Sequence, residues 1–310
     1  MSAGIKVFAP ASVGNTAVGF DCLGFALDAP GDEIIGRLVD RPGVRITEVT
    51  GAQGKLPLEV EKNTAGLAAL RTYEHIGRKD VGIEFGLHKK MPFGSGLGSS
   101  AASAVAGAMV VNELLRRPLE KRELLPFAMA GEQLASGGYH ADNVAPSLLG
   151  GMVLVRDNAT LDVHRLPLVR GLRAVVIYPK VEILTKNARS VLNDQLPLQT
   201  HVKQSANMGG LIVGMFRGDM DLIARSLQDV LIEPQRSHLI PHFAAAKAAA
   251  LTEGALGCSI SGSGPSLFAL CANTLIAENV GAAMERIYRD RKIRTKLYHG
   301  SINQEGAIRF

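Results

Sequence analysis

Residues 92–101 read Pro92-Phe93-Gly94-Ser95-Gly96-Leu97-Gly98-Ser99-Ser100-Ala101. The segment lies between a strand pattern, Val81–His88, and a helix pattern from about Ser99 to Leu115. Three alternate glycines let the backbone take positive φ and come close to a ligand. Serines are good helix N-cap residues. The free N–H groups and positive dipole end of the following helix would face the loop, which makes an anion site. Ala101, Ala102, Ala104, Ala106, Gly107 and Ala108 are small, so that helix can pack very close to its neighbours. Tight helix–sheet packing is the competing reason for such glycines; the strand, loop, Ser-Ser and helix in succession point to phosphate. No G-K-[ST] follows, so this is not a Walker A loop. Ser99 stands where a dinucleotide fingerprint needs its third glycine, and the loop is far from the first strand. The H-R-D and D-F-G segments of protein kinases are absent.

The rest of the chain mixes strands and helices without strict alternation, an α+β pattern. Ile5–Ala9, Glu33–Val39 and Val44–Val49 read as strands, and Asn63–Ile76 as a helix ending at Gly77. Pro118 is expected to open a further helix running to about Ser136. Met152–Val155, Leu161–Leu166 and Leu172–Tyr178 read as strands, with a turn at Asp157-Asn158. Helical periodicity covers Ser205–Phe216, Met220–Leu227 and His238–Leu251. Leu256–Ser259 and Ser266–Cys271 flank a second glycine-rich turn, and a helix and a strand close the chain. Two domains are expected, 1–165 and 166–310, with a site between them.

Composition narrows the function. Of 310 residues, 46% are hydrophobic and 20% charged, enough for a large core without disulfides. Cys22, Cys258 and Cys271 are few and widely spaced, which fits a reducing cytosol and argues against a zinc site. Met1–Pro10 has no charged stretch followed by a long apolar run, so no secretory leader is expected, and no apolar run is long enough to span a bilayer. The expected location is cytoplasmic. The net charge is +5. The basic run Arg286, Arg289, Arg291, Lys292, Arg294 and Lys296 has only Tyr288 and Tyr298 for stacking, so it reads as a solvated helix face and no nucleic-acid partner is expected. A mild positive field suits anionic small molecules.

Three segments in order carry a resemblance to a known family. Ala9-Pro10-Ala11-Ser12-Val13-Gly14-Asn15-Thr16-Ala17-Val18-Gly19-Phe20-Asp21, the 92–101 loop, and Gly257-Cys258-Ser259-Ile260-Ser261-Gly262-Ser263-Gly264-Pro265 resemble the three motifs of the GHMP kinases. His140-Ala141-Asp142-Asn143-Val144-Ala145-Pro146 with Gly150-Gly151, Thr185-Lys186-Asn187-Ala188-Arg189 and Glu233-Pro234-Gln235-Arg236 are similar to its homoserine-kinase branch. The resemblance implies a two-domain homodimer that transfers the γ-phosphoryl of ATP, with Mg²⁺, to the side-chain hydroxyl of L-homoserine.

It also implies roles. Pro92 to Ala101 would hold the nucleotide phosphates, with Asn63 against adenine, although Asn63 is equally a good helix N-cap. Ser100 and Glu132 would hold the metal, since Mg²⁺ prefers oxygen ligands and keeps some water. Asp21, with Asn15, would take the substrate ammonium; Arg189 and Arg236 its carboxylate, which guanidinium groups bind bidentately. His140 and Gly262 would support the substrate, Gly262 and Gly264 by offering backbone N–H groups, and Thr185 would shape the acceptor pocket. Where mevalonate kinase-like relatives carry an aspartate as base, the matching residue is Asn143 by counting from Glu132 and from Gly150-Gly151. An amide is no base at neutral pH, so positioning with direct proton transfer to phosphate is expected, and Asp142 is the alternative if the register is one residue off. A different GHMP kinase, or a non-catalytic protein of that fold, are the rival readings.

Overall fold

The computed structural model describes residues 4–310 apart from 182, 184 and 194 and the side chains of 185 and 186. In chain order the elements are β1 (Ile5–Gly14), β2 (Leu23–Val39), β3 (Gly43–Thr50), α1 (Thr64–Ile76), β4 (Gly82–His88), α2 (Ser99–Leu114), α3 (Leu125–Ser136), α4 (Val144–Leu149), β5 (Met152–Asp157) and β6 (Asp162–Leu166). Then come β7 (Arg173–Pro179), α5 (Thr185–Ser190), α6 (Leu198–Arg217), α7 (Met220–Ser226), α8 (Glu233–Arg236), α9 (Phe243–Thr252), β8 (Gly257–Ile260), β9 (Leu267–Cys271), α10 (Thr274–Arg289), β10 (Thr295–Ser301) and β11 (Ile308–Arg309).

Among the described residues a seven-stranded sheet runs β11-β1-β2-β4-β3, with β5 beside β2 and β6 beside β5. Only the β3–β4 pair in it is parallel. A second, antiparallel sheet runs β10-β7-β9-β8. The main core joins them: Phe25 of the first sheet meets Phe268 of the second edge-on, ring centroids 5.7 Å apart. A smaller core lies between the second sheet and α9 and α10.

Helix α2 is buried from Ala101 to Leu114. Its small residues have a steric reason: a Cβ on Gly107 would sit 2.1 Å from the Ala65 carbonyl oxygen of α1. A helix surrounded on every side by protein shows no amphipathic stripe, and α2 reads that way in the sequence.

Two expectations need correction. The helix expected from Pro118 begins as α3 at Leu125, after a 3₁₀ turn at Lys121–Leu124. Pro126 explains this, because its ring would clash with the Arg122 carbonyl of a continuing α-helix. Strand β2 starts ten residues before Glu33; residues 27–30 bulge opposite Ala11, between the Pro10–Gly31 and Ser12–Ala26 pairs. β6 ends the contiguous run of first-sheet strands near the expected division at 165. Ile302 bridges Leu27 and β11 pairs with β1, so the last residues also join the first sheet.

Candidate active site

The glycine loop is held by its carbonyl groups. Ser266 N–H donates to the Ser95 carbonyl (3.2 Å), Ser261 Oγ to that of Gly96 (2.6 Å) and Ser12 N–H to that of Leu97 (3.1 Å). Gly94, Gly96 and Gly98 lie at φ +56°, +76° and +63°, while Ser95 and Leu97 between them keep negative φ. Alternation of this kind curls successive N–H groups toward one concave side, an anion nest. The nest ends at the start of α2, where the dipole adds positive potential. At Gly96 a Cβ would meet the Ser261 carbonyl oxygen at 2.4 Å, so the close approach itself demands glycine.

Lys89, at the end of the preceding strand, is buried and paired with Asp32. Its ammonium also donates to the Ser99 carbonyl (2.8 Å), Ser99 Oγ (2.6 Å) and Ser103 Oγ (2.8 Å). This ties the first turn of α2 to β2. In α3, Glu132 is buried, its carboxyl lies beside the Ser100 hydroxyl, and one of its buried carboxylate oxygens has no hydrogen-bond partner. Burial raises its pKa to about 7. A buried carboxylate oxygen without a partner, beside a hydroxyl, is an oxygen site suited to a hard cation.

The loop after β1 is strained: Asn15, Thr16, Ala17 and Asp21 all have positive φ. Asn15 orders it with three bonds. Its N–H donates to Asp142 (3.1 Å), its Nδ2 to the Gly262 carbonyl (2.8 Å), and its Oδ1 accepts from Asp21 N–H (3.0 Å). Asp21 receives both carboxylate contacts of Arg189, at 2.8 and 3.0 Å, and its Oδ2 lies 3.5 Å from His140 Nδ1. The pKa of His140 is lowered, chiefly by burial.

Arg236 is buried at 3% exposure. Its Nε donates to the Ala188 carbonyl (2.7 Å), and its guanidinium and that of Arg189 lie 5.0 and 5.3 Å from the Phe20 ring centre. Among the described residues no carboxylate lies within ion-pair distance of it. Burial and the neighbouring Arg189 lower its pKa to about 10, so it stays charged at neutral pH. A buried cation with this little compensation suits an anionic partner.

Ser12 Oγ donates to Asn143 Oδ1 at 3.0 Å, and both lie against Gly98 of the nest. Asp142 is more deeply buried, on the Asn15 side, and burial together with the nearby Asp21 raises its pKa to about 7.

Comparison with known proteins agrees with this geometry. Residues 63–151 match the family described as GHMP kinases N terminal domain, and residues 211–290 that described as GHMP kinases C terminal. A homoserine kinase of Chlorobium phaeobacteroides is 44% identical over 315 aligned positions, covering 98% of both chains. The crystal structure of homoserine kinase from Cytophaga hutchinsonii superimposes with TM-score 0.97 at 52% identity, over 100% of this chain and 98% of that one. The chain belongs to the homoserine kinase family of GHMP kinases. A mevalonate kinase from L. major shares the fold, with TM-score 0.69 at 17% identity over 97% of each chain.

The structure thus brings Asn15, Asp21, His140, Arg189 and Arg236 to one place, and Ser100 and Glu132 to another beside the loop. Asn63 is wholly buried; its Oδ1 caps α1 at Ala65 and Gly66, and its Nδ2 donates to the Pro57 carbonyl. It serves as the cap of α1. Gly262 N–H donates to the Gly14 carbonyl and Gly264 N–H to the Ser261 carbonyl. That turn therefore braces the Asn15 loop. The side chain of Thr185 lies outside the described residues.

Sequence reading missed several supports. Asp32 and Lys89 left no local signal, because an ion pair across 57 positions has none. Asp229 accepts from the N–H groups of Leu231, Ile232 and Glu233, and so seats α8 and Arg236. Here an aspartate shortly before Glu233-Pro234 was a legible helix-start signal. Gln204 of α6 joins Asp229 to the Val18 carbonyl of the loop after β1.

The raised pKa of Asp142 has a signed consequence. Between pH 3.8, the ordinary value, and about 7, the native carboxyl keeps a proton that the unfolded chain has released. Its contribution to stability therefore falls as pH rises through that window and is constant above it. Asp142→Asn should remove this slope, amounting to about 2–4 kcal/mol across the window. Urea unfolding of both proteins at pH 5 and pH 8 would show it; equal pH slopes would refute the protonated carboxyl.

Proposed function

We propose that this protein transfers the γ-phosphoryl group of ATP to the side-chain hydroxyl of L-homoserine, the phosphorylation on the route to threonine. The observation that carries the acceptor reading is buried Arg236 without a carboxylate, set beside Arg189 and Asp21. Asp21 and Arg189 satisfy each other in this structure. A zwitterion can separate them at little cost, because its carboxylate reaches both guanidinium groups while its ammonium reaches Asp21. A ligand with a carboxylate alone would leave Asp21 unpaired, which discriminates against mevalonate-like acceptors.

The phosphates belong in the nest of residues 94–98 and at the start of α2. A cavity of about 280 Å³ beside Pro92 and Phe93, walled also by Lys55, Tyr178 and Lys180, gives the nucleoside end a place. The Ser100 hydroxyl and the unpartnered Glu132 oxygen fit Mg²⁺, which supplies charge neutralisation to the phosphates when bound. Asn143, fixed by Ser12 against Gly98, suits the acceptor hydroxyl. It cannot take the proton, so its role is alignment, and a loose transition state does not need early deprotonation. The free thiols, Cys22, Cys258 and Cys271, accord with a cytoplasmic enzyme.

One face of α6 supports a homodimer. Leu198, Val202, Val213 and Phe216 are 75%, 58%, 41% and 67% exposed. Their spacing puts them within roughly 60° of one another around the helix axis. Such a stripe suits a second copy of itself. Sedimentation should give a dimer for the native protein and a monomer for Phe216→Glu; a native monomer at micromolar concentration would dispose of this.

ADP release should be slow with Mg-ATP alone and rise sharply on adding L-homoserine. Arg236→Met should raise the homoserine KM about 100-fold, as for removing one partner of a buried charge contact, with the ATP KM little changed. No homoserine-dependent turnover in the wild type would sink the reading.

Glu132→Gln keeps the side-chain shape and removes the charge. It should lower kcat by about 100-fold while the thermal melt without ligand shows no loss of folding. Near-normal kcat at ordinary Mg²⁺ would show that Glu132 holds no metal.

A further inference from the structure

Asn158 sits in the turn between β5 and β6, outside the three glycine-containing motifs. Its side-chain Oδ1 accepts from Ala141 N–H at 2.8 Å, and its Nδ2 donates to the Asp21 carbonyl at 3.1 Å. One amide thereby joins the 140–143 segment to the loop after β1. The turn is itself held, since Asp157 Oδ1 accepts from Ala159 N–H at 2.8 Å. The neighbouring backbone brings the two segments within reach: Val155 N–H donates to the Cys22 carbonyl (2.7 Å), and Leu23 pairs with Leu154.

The position of this bond matters because of what Asp21 is. Asp21 has φ +58°, a conformation that costs an L-residue of order 1 kcal/mol or more. Such a residue persists only where its surroundings over-determine it. Its peptide groups are bound on both sides by side-chain amides: Asn15 Oδ1 accepts from its N–H, and Asn158 Nδ2 donates to its carbonyl. Ala141, at the other end of the Asn158 amide, is fully buried and lies between His140 and Asp142. A shift of Asn158 would therefore move the ammonium partner and the acceptor segment relative to each other.

We propose that Asn158 is a positioning residue for the acceptor substrate, clamping Asp21 in its strained conformation and holding it in register with residues 140–143. This rests on the reading of Asp21 as the partner of the homoserine ammonium. The amide is needed in both halves, one as donor and one as acceptor. An aspartate there keeps the bond from Ala141 N–H but sets an anionic oxygen against the Asp21 carbonyl. The glycine loop, Lys89, Ser100 and Glu132 have no bond to Asn158, so the nucleotide side is untouched by its loss.

The test is steady-state kinetics of wild type, Asn158→Ala and Asn158→Asp with L-homoserine and Mg-ATP, alongside thermal melts of each. The homoserine KM should rise about 10-fold in Asn158→Ala, as for loss of a positioning contact, and at least as much in Asn158→Asp. The ATP KM should stay within about twofold of wild type. A merely structural turn residue would lower the melting temperature without dividing the two KM values in this way. An unchanged homoserine KM in both variants, or equal rises in both KM values, would overturn the proposal while leaving the activity of the wild type standing. Absence of homoserine-dependent turnover in the wild type would instead overturn the underlying reading, and this proposal with it.

Discussion

Donors from Ser12, Ser261 and Ser266 turn the carbonyls of the glycine loop away from its concave side. A backbone that offers its N–H groups to an anion must find partners for its carbonyls elsewhere. In this protein they come from β1 and from the turn between β8 and β9. With the loop itself, these are early, middle and late segments of the chain that the fold gathers into one place. The nest, the packing of Gly96 against the Ser261 carbonyl and the joining of the two sheets are aspects of one requirement for hydrogen-bond satisfaction. The Asp32–Lys89 pair plays the equivalent part at the start of α2, where the ammonium engages Ser99 and Ser103 as well as the carboxylate.

Electrostatics divides the site into a part around Glu132 and a part around Arg236. In the first, a buried carboxylate oxygen of Glu132 lacks a partner. In the second, the buried guanidinium of Arg236 lacks a carboxylate among the described residues. Each is a cost to the folded chain that an opposite charge beside it would relieve. The strained loop from Asn15 to Asp21 belongs to the same pattern. It is held by the side-chain amides of its own Asn15, of Gln204 in α6 and of Asn158 in the turn between β5 and β6.

Much of this was legible along the chain. The Gly94–Ser100 segment announces its turn chemistry locally, since positive φ and N-capping depend on residues within a few positions of one another. Helix α1 and strand β4 follow from periodicity, while α2 and β3 are marked by small or β-branched residues bounded by turn signals. Asn63 shows the limit of the method. Both an N-cap and a base contact are consistent with its neighbours, and the fold shows the cap, with the side chain fully buried and bonded to the Pro57 carbonyl. Gly262 is similar: its turn is visible in the sequence, but the destination of its N–H is not.

Local pattern therefore settles where elements lie and which residue types punctuate them, and the three motifs in order settle the family. Which polar groups meet was decided by the fold. Asn15 and Asp142 are 127 positions apart, Arg189 and Asp21 168, and Asn158 and Asp21 137. No periodicity or turn rule connects such distances. They are joined because two sheets share one hydrophobic core, and because each buried donor and acceptor had to find a partner within reach once that core had formed.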